Sequence, residues 1–268
     1  MSTPGGGRLR ALREQAGKTQ LWVELEAELG TGYLQRVESG RVAQPSRATL
    51  ERILNALDAR YSERRDVMET FGYTVTATPP DAADATWARE VSARELHEVA
   101  FPAFVLDCTH RLIAWNAPFL HLLGDQASAA SLRRMQTESF LASWFEPGSP
   151  FGSMVAEPEV LLPALIRALR YERQLFHNEP WYAELLDNFK RDLPLFRHYW
   201  ETVEYETPPA SAARAVVPVR LIVPGVGRLE FRLSSEHFTR DARFRLVYYF
   251  PANPATMQHC AAWAAGDG

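Results

Sequence analysis

The chain has 268 residues, 46% hydrophobic and 23% charged, with a net charge of −4. That length suits two globular domains better than one, and the acidic balance excludes a generally basic nucleic-acid coat. Cys108 and Cys260 are too few and too far apart for a disulfide framework or a metal site.

Two unpaired thiols fit a reducing cytoplasm. No apolar run approaches the ~18–20 residues of a membrane span, and the start, MSTPGGGRLR, lacks a signal-peptide core. The expected location is therefore cytoplasmic, which in a bacterium includes the nucleoid, with no membrane partner. Residues 1 to 75 hold 11 Arg+Lys against 10 Asp+Glu, and the remainder 18 against 23. The charge asymmetry is small, so any DNA binding must rest on placed residues.

Residues 1–7 read as a flexible glycine-rich tail. Arg8 to Ala16 predicts a first helix with Leu9 and Leu12 inward, stopped at Gly17. A second helix follows, capped by Thr19, with Val23 and Ala27 inward and Gln20, Glu24, Glu26 and Glu28 mostly elsewhere. Leu29 and Gly30 form a turn, and a third helix starts at Thr31. Its inward residues are Leu34 and Val37; Thr31, Gly32, Gln35 and Arg36 point out, and Gly40 stops it. An outward face of small and polar residues with one arginine suits a DNA groove, because arginine can grip guanine by two hydrogen bonds. A helical hairpin that touches no nucleic acid would show the same periodicity. Ser46 caps a fourth helix carrying Leu50, Ile53, Leu54 and Leu57, and Ser62 to Phe71 makes a fifth.

The pattern Thr19-Gln20, then Gly32-Tyr33-Leu34-Gln35-Arg36-Val37-Glu38-Ser39-Gly40-Arg41, then Pro45-Ser46 resembles the XRE-type, phage-repressor-like helix-turn-helix family. The resemblance covers roughly residues 8 to 72. It implies that Gln20 meets phosphate and that Thr31, Gly32 and Arg36 face bases on a surface shared with Tyr33 and Gln35. Arg41 and the loop towards Arg47 then clamp the backbone. Three positions depart from the family: Glu28 stands at the turn glycine, Gly30 at the Ser/Thr cap and Glu24 at a small residue. Three glutamates on the backbone-crossing helix are expected to oppose DNA.

Residues 74–86, TVTATPPDAADAT, have little to bury and read as a linker. From Trp87 a helix runs to Val99, followed by two apolar runs, Phe101 to Leu106 and Arg111 to Trp115, joined by a hairpin turn at Asp107 to His110. Helices are predicted over Ala117–Leu123, Thr137–Trp144 and Pro158–Gln174, with a turn at Glu146–Gly152. Two more open at Pro180 and Pro194, where a missing N–H is harmless. Period-two patterning then marks strands at Val216–Val223, Arg228–Ser234 and Arg243–Phe250. Five antiparallel strands with helices packed on one face make an α+β domain of PAS-like arrangement over residues 87–256, leaving 257–268 as a tail.

The runs Phe101-Pro102-Ala103-Phe104-Val105-Leu106-Asp107 and Leu112-Ile113-Ala114-Trp115-Asn116 precede Phe196-Arg197 with Trp200 and a terminal Tyr248-Tyr249-Phe250-Pro251. Together they resemble the MmyB-like ligand-binding domain that follows an XRE-type helix-turn-helix. The resemblance implies a bacterial transcription regulator, a homodimer, whose pocket takes a long apolar carboxylic acid such as a fatty acid. No other cofactor is expected. The rings Phe104, Trp115, Phe119, Phe140, Trp144, Trp181, Trp200 and Phe231 lie on predicted inward faces, where they either line a pocket or fill a core. Arg170 and Arg197 could hold a carboxylate or snorkel at the surface. Asn116 could meet a ligand or cap the following helix. A ligand-free dimerisation platform remains the alternative. Catalytic and metal motifs are missing: His97-Glu98 lacks the second histidine of a zinc-protease helix, and there is no G-x-S-x-G elbow.

Overall fold

The computed structural model describes residues 3–124, 127–146, 148–204 and 217–266, and the chain divides into two compact units between Thr76 and Ala77. The first unit is all helical: α1 (Pro4–Gln15), α2 (Gln20–Glu26), α3 (Tyr33–Glu38), α4 (Arg47–Ala56) and α5 (Tyr61–Thr70). Thr19 accepts the Trp22 N–H at the head of α2, and Ser46 accepts the Thr49 N–H at the head of α4. The predicted stripes converge on one buried cluster that includes Leu9, Val23, Leu34, Val37, Leu50, Ile53, Leu54, Val67 and Phe71.

The glycine-rich start is not a flexible tail. α1 begins at Pro4, and Thr3 caps it by accepting the Gly6 N–H at 3.2 Å. The glycines are needed for close approach. A Cβ on Gly5 would sit 2.7 Å from the Phe71 ring, and one on Gly6 would sit 2.4 Å from the Val37 carbonyl oxygen. Absence of a side chain therefore lets α1 dock on the end of α3.

In the second unit the elements run α6 (Ala82–Glu98), β1 (Ala103–Asp107), β2 (Leu112–Trp115), α7 (Ala117–Leu123), α8 (Ala129–Thr137), α9 (Ala142–Phe145) and α10 (Pro150–Met154). They continue with α11 (Pro158–Phe176), α12 (Pro180–Asp192), α13 (Pro194–Thr202), β3 (Val217–Val223), β4 (Gly227–His237), β5 (Phe244–Pro251) and α14 (Pro254–Ala265). The five strands form one antiparallel sheet in the order β2-β1-β5-β4-β3. Cross-strand partners share a face, and Phe104↔Val247, Leu106↔Arg245, Leu233↔Tyr249 and Val219↔Phe231 mark one of them. The Phe119 and Phe140 rings pack on Phe104 from that side.

The opposite face buries Ala103, Val105, Phe244 and Leu246 against Ala88 and Leu96 of α6. Helices thus cover both faces of the sheet, not one as expected. α6 is fastened to the sheet by the buried Arg243. Its guanidinium reaches Asp241, Asp84 in the first turn of α6 and the Thr78 carbonyl. Asp81 caps α6, so the second half of the supposed linker is helical.

Two other expectations are corrected. The helix predicted over Thr137–Trp144 shortens to α9, because Glu138 is extended (φ −113°, ψ 166°) and ends α8, a helix not predicted, at Thr137. The supposed tail 257–268 is mostly α14, capped by Asn253, with Cys260 and Trp263 buried. Val216, Pro147, Met1, Ser2, Asp267 and Gly268, which carried parts of the predicted strand, turn and tails, lie outside the described residues. No helix among the described residues is long and apolar enough to cross a membrane. Gly6→Ala should lower stability by about 1–3 kcal/mol, the usual scale of overpacking, as read by urea unfolding. A residue in a free tail would give no shift.

Candidate functional site

The turn between α2 and α3 differs from the predicted one. α3 starts at Tyr33, two residues later than expected, and its first flanking residue, Gly32, is left-handed (φ +77°) with no side chain to cap the helix. Glu28 also takes a left-handed conformation (φ +52°), which for a non-glycine residue costs ~1 kcal/mol. The missing cap is supplied from α2. The Glu24 carboxylate accepts the Gly32 N–H at 2.9 Å through Oε2 and the Leu34 N–H at 2.8 Å through Oε1. Both are orphan donors of the first turn of α3, and a carboxylate there also meets the positive end of the helix dipole. Glu24 is only 4% exposed, so it is no part of a DNA-repelling surface; that expectation is corrected. Glu26 and Glu28 do remain exposed.

A second buried carboxylate fixes the other end of α3. Glu38 receives Arg13 Nε at 2.7 Å and Nη2 at 3.1 Å, and Gln20 Nε2 at 2.7 Å. Burial of an ion pair is tolerated because both partners are multiply hydrogen-bonded. Arg13 also donates to the Lys18 carbonyl at 2.9 Å, tying α1 to the head of α2. Gln20, expected on phosphate, thus has one amide hydrogen committed to Glu38 and one left.

Thr31, Gln35, Arg36 and Arg41 are exposed, and Gly32 and Tyr33 are half-buried. Arg36 lies 5.7 Å from the Tyr33 ring centre, which holds the guanidinium over the front of α3. Arg47 is differently employed. It lies 5.6 Å from the Tyr73 ring, pairs with Glu51 at 3.3 Å and donates to the Thr74 carbonyl. The structure therefore groups Thr31, Gly32, Tyr33, Gln35 and Arg36 around one exposed helix start, while Arg47 faces its own unit.

In the second unit the predicted ligand residues fall into separate groups. Phe104, Phe119, Phe140 and Trp144 pack in one aromatic cluster with Phe151 and Tyr249, at centroid separations from 4.7 to 6.1 Å, and Phe231 meets Tyr249 at 5.7 Å. Trp200 stacks on Phe196 at 5.5 Å, and Phe196 leads to Phe145 and Phe189. Trp181 instead pins the start of the unit, its indole N–H donating to the Ala77 carbonyl.

Of the three polar candidates, Asn116 and Arg170 have structural partners. Asn116 caps α7 by accepting the Phe119 N–H at 3.1 Å, accepts the Ala103 N–H at 3.0 Å and donates to Phe101 and Val99 carbonyls. Arg170 donates to the Val203 and Trp200 carbonyls at the end of α13, so it caps that helix from α11. Arg197 is exposed on α13. Trp115 and Asn116 also border an open cleft of 640 Å³ between α6 and the β2–α7 corner, shared with Arg89, Leu96, His97 and Pro118.

Sequence reasoning missed one buried polar group, made of His110, Glu172 and Arg245. Arg245 pairs with Glu172 and donates to His110 Nδ1. Burial pushes the His110 pKa down from 6.5 to about 4, Arg245 adding to the shift, while Glu172 opposes it. Burial also raises Glu172, but Arg245 and His110 together outweigh it and hold the carboxyl below its ordinary range. A signal for Glu172 was present: it follows Leu165, Ala168 and Leu169 at helical spacing, where an apolar residue is due.

A helix start aimed outward from a five-helix unit, joined to a sheet with an aromatic layer beneath helices, defines a DNA-binding regulator with a ligand-binding domain. Residues 88–262 match the MmyB-like transcription regulator ligand binding domain, and residues 6–67 match a helix-turn-helix domain. The chain belongs to the MmyB-like transcription regulator family. No curated protein matches it.

Two outcomes follow from this geometry. Glu24→Ala strands two backbone donors and should cost about 1–3 kcal/mol, whereas Glu24→Gln keeps one acceptor and should cost less; denaturant midpoints decide. His110 is held neutral in the fold, so the unfolded chain takes up a proton first as pH falls. Stability present above pH 6.5 should therefore decline between pH 6.5 and about 4, by up to about 1.4 kcal/mol per pH unit. His110→Gln should flatten that part of the curve.

Proposed function

We propose that this regulator binds an XRE-type operator as a homodimer and that a long-chain carboxylic acid, such as a fatty acid, adjusts its DNA affinity. The single observation that carries the DNA reading is the exposed start of α3, where Thr31, Gln35 and Arg36 stand free of the core while Glu24 and Glu38 hold the helix from below. Residues at the front of such a helix reach base edges in the major groove. A homodimer supplies two such helices, which offsets the weak basic charge of one unit.

The fatty-acid reading is supported by the match to a ligand-binding domain and by the aromatic layer on the Phe104 face of the sheet. An acyl chain entering there parts rings that otherwise touch each other. That mutual contact also favours a second reading, in which the layer is a filled core and the domain serves dimerisation alone. Native mass spectrometry of the purified protein separates them: a co-purified mass of a few hundred daltons supports the first, and a dimer without added mass the second. Ligand binding moves the equilibrium between two arrangements only by its preference for one of them.

Arg36→Ala should lose ~1–3 kcal/mol of discrimination between operator and random DNA in anisotropy titrations. An equal loss on both would make Arg36 a phosphate contact.

A further inference from the structure

The His110–Glu172–Arg245 group is left without a role by the readings above. Its members come from three elements: the β1–β2 turn, α11 and β5. Arginine has no acceptor and keeps its proton, so in the contact between Arg245 Nη2 and His110 Nδ1 the arginine donates. A neutral imidazole whose Nδ1 accepts must carry its hydrogen on Nε2. Among the described residues that buried Nε2 has no partner, and neither has the buried Oε1 of Glu172. One orphan donor and one orphan acceptor therefore flank the same guanidinium. Each is costly if left unmet.

The neighbouring groups set the charge of whatever meets them. Arg245 and Glu172 cancel. Asp107, fully buried, spends one oxygen on Thr109 and the Arg111 N–H and the other on Arg111 Nε at 2.7 Å. His237 directs Nδ1 at the Ala242 carbonyl, and the Tyr182 hydroxyl reaches the Leu169 carbonyl at 3.5 Å. Among the described residues no cation is left over for an anion, and an anion would face the bare Glu172 oxygen. The required group is neutral and both accepts and donates. Phe189 lies 6.5 Å from the His110 ring, and the Phe140 N–H holds the His110 carbonyl at 2.8 Å, next to the aromatic cluster. His110 is itself left-handed (φ +64°) and fully buried.

We infer that His110 Nε2–H and Glu172 Oε1 form the polar end of the ligand site and receive a hydroxyl, a primary amide or an undissociated carboxyl group rather than a carboxylate ion. This rests on the reading of the domain as a receptor for an apolar chain. The ligand oxygen accepts from Nε2–H, and its O–H or N–H donates to Oε1. Burial keeps His110 uncharged down to about pH 4, so the donor stays in place at neutral pH.

The test is a calorimetric or displacement titration of delipidated full-length protein with hexadecan-1-ol, hexadecanamide, hexadecanoic acid and hexadecane. At about pH 7.5 the alcohol and the amide should bind about tenfold or more tighter than the ionised acid. The acid should gain about tenfold for each unit that pH falls towards 6, with the alcohol unchanged. His110→Asn, which tolerates the left-handed backbone, should weaken the alcohol about tenfold and leave hexadecane unaffected. Tighter binding of the acid at about pH 7.5, with no gain on acidification, would overturn the inference while leaving the receptor reading intact. Equal binding of the alcohol and hexadecane would mean that water occupies the site, and would overturn it likewise. No binding by any of the four would sink the receptor reading itself, and the inference with it.

Discussion

The placement of α3 depends on the Glu24 carboxylate. A six-residue helix whose flanking residue is glycine has no cap of its own, and helices this short are marginal in water. Two backbone donors at its head would otherwise be stranded. By receiving both, Glu24 makes α2 and α3 one rigid corner, and a negative charge that looks unfavourable for DNA binding is spent inside the protein. Glu38 does the corresponding work at the far end, where Arg13 and Gln20 converge on it. The exposed face of α3 is therefore held by two carboxylates beneath it, so its side chains can point outward without bracing the fold.

The second unit uses the same device with a different outcome. Arg243 is paired inside a saturated network that fastens α6 to the sheet. Arg245, two residues on, sits in a network left incomplete by one donor and one acceptor. Saturated buried polar groups rigidify a core, and unsaturated ones are where a ligand or water is required. The two cysteines take no part in such chemistry. Burial raises both thiols, Cys260 to about 11, which keeps them unreactive.

Much of the fold was legible because apolar periodicity and caps agree with it: Thr19, Ser46 and Asn116 head helices as read, and the hairpin turn falls at Asp107–His110. The five antiparallel strands follow from the same signals, whereas α8, α10 and α14 were not read. What failed did so for identifiable reasons. Gly5 and Gly6 look like a tail because their use depends on Phe71 and Val37, distant in sequence. α8 buries little beyond Met135, so no stripe announced it. Glu24 reads as surface because a local pattern cannot show that the next helix lacks a cap. Of the candidate pocket, the rings were found by type, but they fall into several groups that periodicity could not distinguish. Arg170 was read as an anchor and turned out to end a neighbouring helix. Glu172 and Arg245 carried the better signal, charge where the pattern demands oil.

Strand β5 carries one further implication. Arg245 and Arg243 are separated by a single residue of paired backbone, Phe244, which lines the α6 side. Paired backbone resists stretching, so the two guanidiniums are held at a fixed spacing. The second grips the Thr78 carbonyl and the opening turn of α6, the first stretch of this unit after Thr76. One short stretch of strand thus joins the buried His110 group to the point where the second unit begins.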